Sequence, residues 1–80
     1  MVRTLDVRGL RCPLPLIRAR AALPALAPGD TLEVLATDPE APIDLAALAA
    51  DAALEFDAAP DGGGWRITLI RSGEPAAPAG

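Results

Sequence analysis

The chain has 80 residues, with 7 Lys+Arg against 11 Asp+Glu, no histidine and one cysteine. Its length fits one domain with a small core, because a chain this short buries only about 60% of its unfolded surface. The net charge of −4, with one Trp and one Phe, argues against direct nucleic-acid binding, where phosphate contacts dominate affinity. No apolar run is long enough to span a bilayer and no signal peptide is visible. A lone free cysteine fits a reducing compartment, so the sequence predicts a cytoplasmic protein without membrane insertion.

Val2 to Val7 alternates and predicts a strand, with Leu5 and Val7 on one face. Arg8-Gly9-Leu10-Arg11 follows as a sharp connection, for which Gly9 supplies a backbone angle other residues avoid. From Pro13 the period becomes helical. Leu16, Ala19, Leu23 and Leu26 form an apolar stripe, flanked by Arg18 and Arg20. Pro13 suits the first helical position, whereas Pro15 biases Leu14 away from helical angles and predicts an irregular first turn. Pro24 weakens the helix near Leu23, and Pro28-Gly29 stops it.

Thr31 to Thr37 reads as a second strand, with Leu32, Val34 and Ala36 on one face. Asp38 to Pro42 is a loop, and Pro42 opens a second helix over Ile43 to Ala53. Leu45, Leu48, Ala49 and Ala52 form its inward stripe. Glu55 to Ala59 predicts a third strand, Asp61 to Gly64 a hairpin turn, and Trp65 to Arg71 a fourth strand. The Pro/Ala/Gly-rich stretch from Ser72 to Gly80 is predicted to be a disordered tail. One domain over 1–71 results, in the order β-α-β-α-β-β. This is an α/β (α+β) two-layer sandwich, with a four-stranded mixed sheet and two helices on one face. On this reading the two crossovers run in opposite directions across the sheet.

Arg11-Cys12-Pro13-Leu14-Pro15 is the stretch whose chemistry packing explains least. Free cysteine commonly behaves as a small buried hydrophobe. Cys12, however, stands beside Arg11, outside the strand pattern and ahead of the helical stripe. Reactive cysteines occupy such electropositive, partly exposed places. Arg3, Arg8, Arg11, Arg18 and Arg20 crowd the N-terminal quarter, which predicts a local positive potential. Together with the partial positive charge of a helix entrance, this predicts a Cys12 thiol more acidic than the ordinary value of about 8.5.

A cysteine hydrolase needs a histidine base, and a zinc site needs several N or S ligands. A dithiol oxidoreductase needs a second cysteine. The chain has none of these, so no metal site is expected. Three roles survive: a thiol that accepts and donates an atom or group, a redox sensor, and an intermolecular disulfide. The missing second cysteine favours the first, because no neighbouring thiol in the chain can discharge a persulfide.

The stretch Leu5 to Pro15, with Cys-Pro-x-Pro at its end, resembles the signature of the TusA/SirA-like sulfur carriers. The likeness continues through Pro28-Gly29-Asp30, the strand Leu32 to Ala36, Asp38-Pro39 and Asp44, and it ends at Arg71. The resemblance implies the same two-layer sandwich. It also implies that Cys12 takes sulfur as a persulfide from a cysteine desulfurase or rhodanese-type donor. Cys12 would then pass it to an acceptor protein with a reactive cysteine, in tRNA thiolation, cofactor maturation or sulfur oxidation.

Such a carrier turns over only with its donor and acceptor, and its cofactor is none beyond the transient persulfide. Pro13 and Pro15 would shape the active loop. Asp6, Gly9, Arg11, Arg20, Asp38 and Asp44 match family positions near or supporting it. Asp6 reads equally well as a cap for the Gly9 turn, while Arg18 and Arg20 are candidates for partner docking. The chain departs from the family where Ala21, Ala22 and Pro24 replace the usual lysines of helix one, and in a second helix poor in basic and aromatic residues. A monomer is expected. The rival readings are a thiol-based redox or protein-binding module and an accessory to a sulfur-compound importer.

Overall fold

The computed structural model describes residues 1–72, so the predicted tail lies, apart from Ser72, outside the described residues. The elements run β1 (Val2–Asp6), α1 (Leu14–Ala22), a 3-10 turn (Leu23–Ala25), β2 (Thr31–Ala36), α2 (Ala41–Ala52), β3 (Leu54–Asp61) and β4 (Gly64–Arg71). They form a four-stranded sheet in the order β1-β2-β4-β3. β1 lies parallel to β2, and β4 runs antiparallel to both β2 and β3.

Alternation along β2 sets the two sides of this sheet. Leu32, Val34 and Ala36 are buried, while Thr31, Glu33 and Leu35 are partly exposed. The register continues the apolar side across the sheet: Leu5 faces Val34, Val34 faces Ile67, and Ile67 faces Ala58. Both helices cover that side. Ala19 of α1 and Ala41, Leu45, Leu48 and Ala49 of α2 join one core with Val7, Leu23, Leu26, Leu54 and Leu69. The helices also pack on each other.

The two-layer architecture agrees with the sequence expectation, but the direction of the crossovers does not. β1 to β2 and β2 to β3 both advance the same way across the sheet, the second passing over β4. Connections of one hand that advance the same way put their helices on one face; a reversal would put them on opposite faces.

α1 also begins differently from the expectation. Pro13 is the cap, Leu14 the first helical residue and Pro15 the second. Leu14 thus adopts the helix despite the proline after it. A first-turn residue has no intrahelical partner for its N–H, so Pro15 loses nothing there, and its ring is buried. Pro24 acts as predicted: the α-helix stops at Ala22 and tightens into the 3-10 turn. α2 starts at Ala41, two residues before the predicted Ile43, and ends on Ala53 at φ 57, whose N–H bonds to the Ala49 carbonyl. The hairpin between β3 and β4 turns on Gly62 and Gly63, at φ 56 and 85. Positive φ at both central residues matches the twist of paired strands.

Because β1 and β2 are parallel, their C-terminal ends lie at the same edge. The loop of residues 8–13 and the loop of residues 37–40 therefore sit side by side, where α2 begins.

Candidate functional site

The first loop is built by the end of β1. Asp6 Oδ1 accepts the Arg8 N–H at 3.1 Å and Nε–H at 2.9 Å, and Oδ2 accepts the Arg8 terminal NH2 at 2.7 Å. Hydrogen bonds from the Arg8 side chain and backbone hold the Asp6 carboxyl down to about 2. Asp6 is thus the cap of the turn, and it takes up Arg8. Gly9 follows at φ 84 and donates its N–H to Thr37 Oγ1 at 2.9 Å, which ties the two loops together.

Asp38 makes the second tie. One carboxylate oxygen accepts the Cys12 N–H, and the other accepts the Glu40 N–H at 2.8 Å. These bonds, with Arg11 adding its charge, push the Asp38 carboxyl below its usual range. One side chain therefore fixes both the cysteine loop and the approach to α2. A shallow cleft of about 350 Å³ runs between Gly9–Leu10–Arg11 and Thr37–Asp38–Pro39.

Cys12 is exposed and free, which rules out the buried-hydrophobe reading. Its Sγ–H donates to Asp44 Oδ2 at 3.0 Å. The Cys12–Pro13 peptide bond is cis. Sγ and the nearest carboxylate oxygens of Glu40 and Asp44 all lie within 4.8 Å of one another. This is one soft and two hard donors in reach of a common ion. Nitrogen and sulfur ligands alone do not reveal this grouping in the sequence, since two of its three groups are carboxylates.

The expected acid thiol is corrected by this geometry. The Cys12 thiol is pushed up to about 12, first by its hydrogen bond to Asp44, then by desolvation and the charges of Asp44 and Glu40. A carboxylate that accepts the thiol proton and stands against the thiolate disfavours ionisation twice. The positive terms are weaker than the sequence suggests. Arg8 is bonded to Asp6, and Arg11 acts on Asp38. At the helix entrance, Pro13 and Pro15 bring no N–H, and that of Leu14 closes on the Arg11 carbonyl at 2.8 Å.

The structure thus brings Gly9, Arg11, Cys12, Pro13, Asp38 and Asp44 into one place and adds Thr37 and Glu40. Glu40 was legible in principle, because Glu40 and Asp44 stand four residues apart and share a helix face. Thr37 carried no signal beyond closing the predicted second strand; in the structure it is the residue just after β2. Pro15 lies under the loop in the core. Arg18 and Arg20 are exposed on α1 with no hydrogen-bond or ion-pair partner among the described residues. Leu14 and Ile17, also on α1, are exposed apolar side chains. Among the described residues no helix is long and apolar enough to cross a membrane.

Comparison with known proteins gives a consistent result. The sequence model of a family described as sulfurtransferase TusA matches residues 3–71. The sulfur carrier protein TusA of Allochromatium vinosum is 42% identical over 67 residues, spanning 84% of this chain and 88% of that protein. A Neisseria meningitidis protein with a provisional sulfur-carrier name is 59% identical over 44 residues, or 55% of this chain. The chain matches 60% of that relative's length. Among solved structures, a SirA-like protein from Desulfitobacterium hafniense superposes with a TM-score of 0.79 at 28% identity. That superposition covers 90% of this chain and 99% of the neighbour.

Proposed function

Because the chain belongs to the TusA sulfurtransferase family, we propose that it is a sulfur carrier that takes up sulfane sulfur as a persulfide on Cys12 and passes it to an acceptor protein. The observation that carries this reading is an exposed thiol, the only one in the chain, held at the ends of the parallel strands by the bonds that the Cys12 N–H and Sγ–H donate to Asp38 and Asp44. With no second thiol in reach, a persulfide there has no internal route to a disulfide. The relatives' sulfur-carrier names support the same role.

Loading is an exchange at sulfur. The Cys12 sulfur attacks the outer sulfur of a donor persulfide, a new S–S bond forms, and the donor's own S–S bond breaks. The proton of Cys12 ends on the released donor thiol, so no outside oxidant or reductant is needed. A cysteine desulfurase or rhodanese fits as donor, and a protein with a reactive cysteine fits as acceptor. The pathways open to such a relay are tRNA thiolation, cofactor maturation and sulfur oxidation. The exposed Leu14 and Ile17 beside the exposed Arg18 and Arg20 fit the docking of both partners, since arginine and apolar anchors are enriched at interfaces. A cytoplasmic monomer is the setting proposed.

A redox sensor fits less well, because sensor cysteines combine exposure with low pKa, and this thiol is shifted the other way. Radiolabelled sulfur tests the reading. Label from cysteine and a desulfurase, or from thiosulfate and a rhodanese, should appear on this chain and then leave to an added acceptor thiol. Failure of every donor to label the chain, together with ready oxidation of Cys12 by peroxide, would leave the sensor in its place.

A further inference from the structure

We propose that Asp44, backed by Glu40, is a latch on the empty carrier: it holds the thiol proton of Cys12, so that the sulfur reacts with a docked partner and stays inert toward free electrophiles. The purpose of this latch rests on the carrier reading; its geometry does not.

Three observations carry it. The thiol is bonded to Asp44 Oδ2 at 3.0 Å although it is exposed and could turn to solvent. A Glu40 carboxylate oxygen stands within 4.8 Å of Sγ and of an Asp44 carboxylate oxygen, so loss of the proton would bring three negative groups together. Finally, neither Glu40 nor Asp44 takes part in an ion pair among the described residues, so no paired cation there offsets that repulsion. The charged groups around the thiol are Asp44 in the first turn of α2, Glu40 at its cap, Asp38 after β2, and Arg11 in the cysteine's own loop. Of these only Arg11 is positive, and its charge acts on Asp38.

Asp44 is on this account a positioning residue. A carboxylate is far too weak a base to take the proton outright from a thiol shifted upward. It keeps the proton in place until the exchange itself moves it to the donor's leaving sulfur. Persulfide formation removes the hydrogen from Sγ, the bond to Asp44 lapses, and the loaded sulfur is no longer held.

The test is alkylation of Cys12 by iodoacetamide as a function of pH, with a chelator present and no sulfur donor. The intact chain, Asp44→Asn, Glu40→Gln, the double variant and Asp57→Asn are compared, with folding checked by circular dichroism. Asp57 lies on the exposed strand β3, and its substitution changes net charge as Asp44→Asn does.

The intact chain should alkylate with a midpoint near 12. At about pH 8, Asp44→Asn should react roughly tenfold faster and the double variant on the order of tens of times faster. These values allow for the lower nucleophilicity of a more acidic thiol. Glu40→Gln should move the profile the same way by less, and Asp57→Asn should not move it. The latch is overturned by an ordinary thiol midpoint in the intact chain. It is also overturned by an Asp44→Asn profile identical to that of the intact chain, or by equal acceleration in Asp57→Asn. Because no donor is used, the latch can fail while sulfur loading succeeds, and the reverse.

Discussion

At the scale of the residue, Cys12 makes the folded state sensitive to alkali. Its thiol stays protonated to about 12 when folded, whereas an unfolded chain releases that proton near the ordinary value of about 8.5. The group's pKa is raised on folding, so its contribution is complete below the unfolded pKa and is lost as pH rises toward the folded one. Between those values the unfolded state binds fewer protons, and linkage makes stability fall with pH. The chain has no tyrosine, and all seven of its basic residues are arginines, so no other side chain titrates there. Denaturant midpoints should therefore decline across this window in the intact chain and stay level in Cys12→Ser. Below the window the two should match closely, because the exposed sulfur adds little packing energy. A level profile in the intact chain would remove the shifted thiol. The motif itself was legible in the sequence; its electrostatics were not. Arg11 and Arg8 are near in sequence, but Arg8 is ion-paired to Asp6 and Arg11 lends its charge to Asp38, while Glu40 and Asp44 arrive from a helix more than twenty-five residues away.

At the scale of the element, local pattern identified each strand and helix, and its errors were at the ends. β2 was read to within a residue because its alternation is also its burial pattern. β3 is longer than predicted, running from Leu54 to Asp61. Asp57, Pro60 and Asp61 are poor strand formers, but β3 is an edge strand, where such residues cost little. The end of α2 was hidden because Ala53 takes the left-handed angle usually left to glycine. Gly64 shows a tertiary constraint that no local pattern reveals. A Cβ placed there would lie 2.3 Å from the Ala36 carbonyl oxygen, where β4 begins beside the end of β2. Gly64→Ala should cost about 1–3 kcal/mol, the usual range for overpacking. In a domain of this size that lowers Tm by roughly 4–8 °C per kcal/mol. An unchanged melting temperature would mean that the two strand ends are not held this close.

At the scale of the whole molecule, one thin core supports one chemically distinct edge. Leu45 of α2 is fully buried against the sheet, and the same helix carries Asp44 to Cys12. Leu45→Ala should cost about 2–5 kcal/mol, a large share of the roughly 5–15 kcal/mol typical of a domain. Thermal melting should show it, and a loss within 0.5 kcal/mol would contradict the packing described. The layer arrangement was legible because alternating strands and helices leave few ways to bury their apolar sides. Strand order was not, since the hairpin places β4 between β2 and β3 and no residue announces that insertion. The most direct measurement of the account is the intact mass of the chain after incubation with a sulfur donor. A desulfurase with cysteine, or a rhodanese with thiosulfate, should add the mass of one sulfur atom, located at Cys12 and removed by a reducing thiol. Cys12→Ser should gain none. An unchanged mass with every donor, or an equal gain in Cys12→Ser, would contradict the carrier.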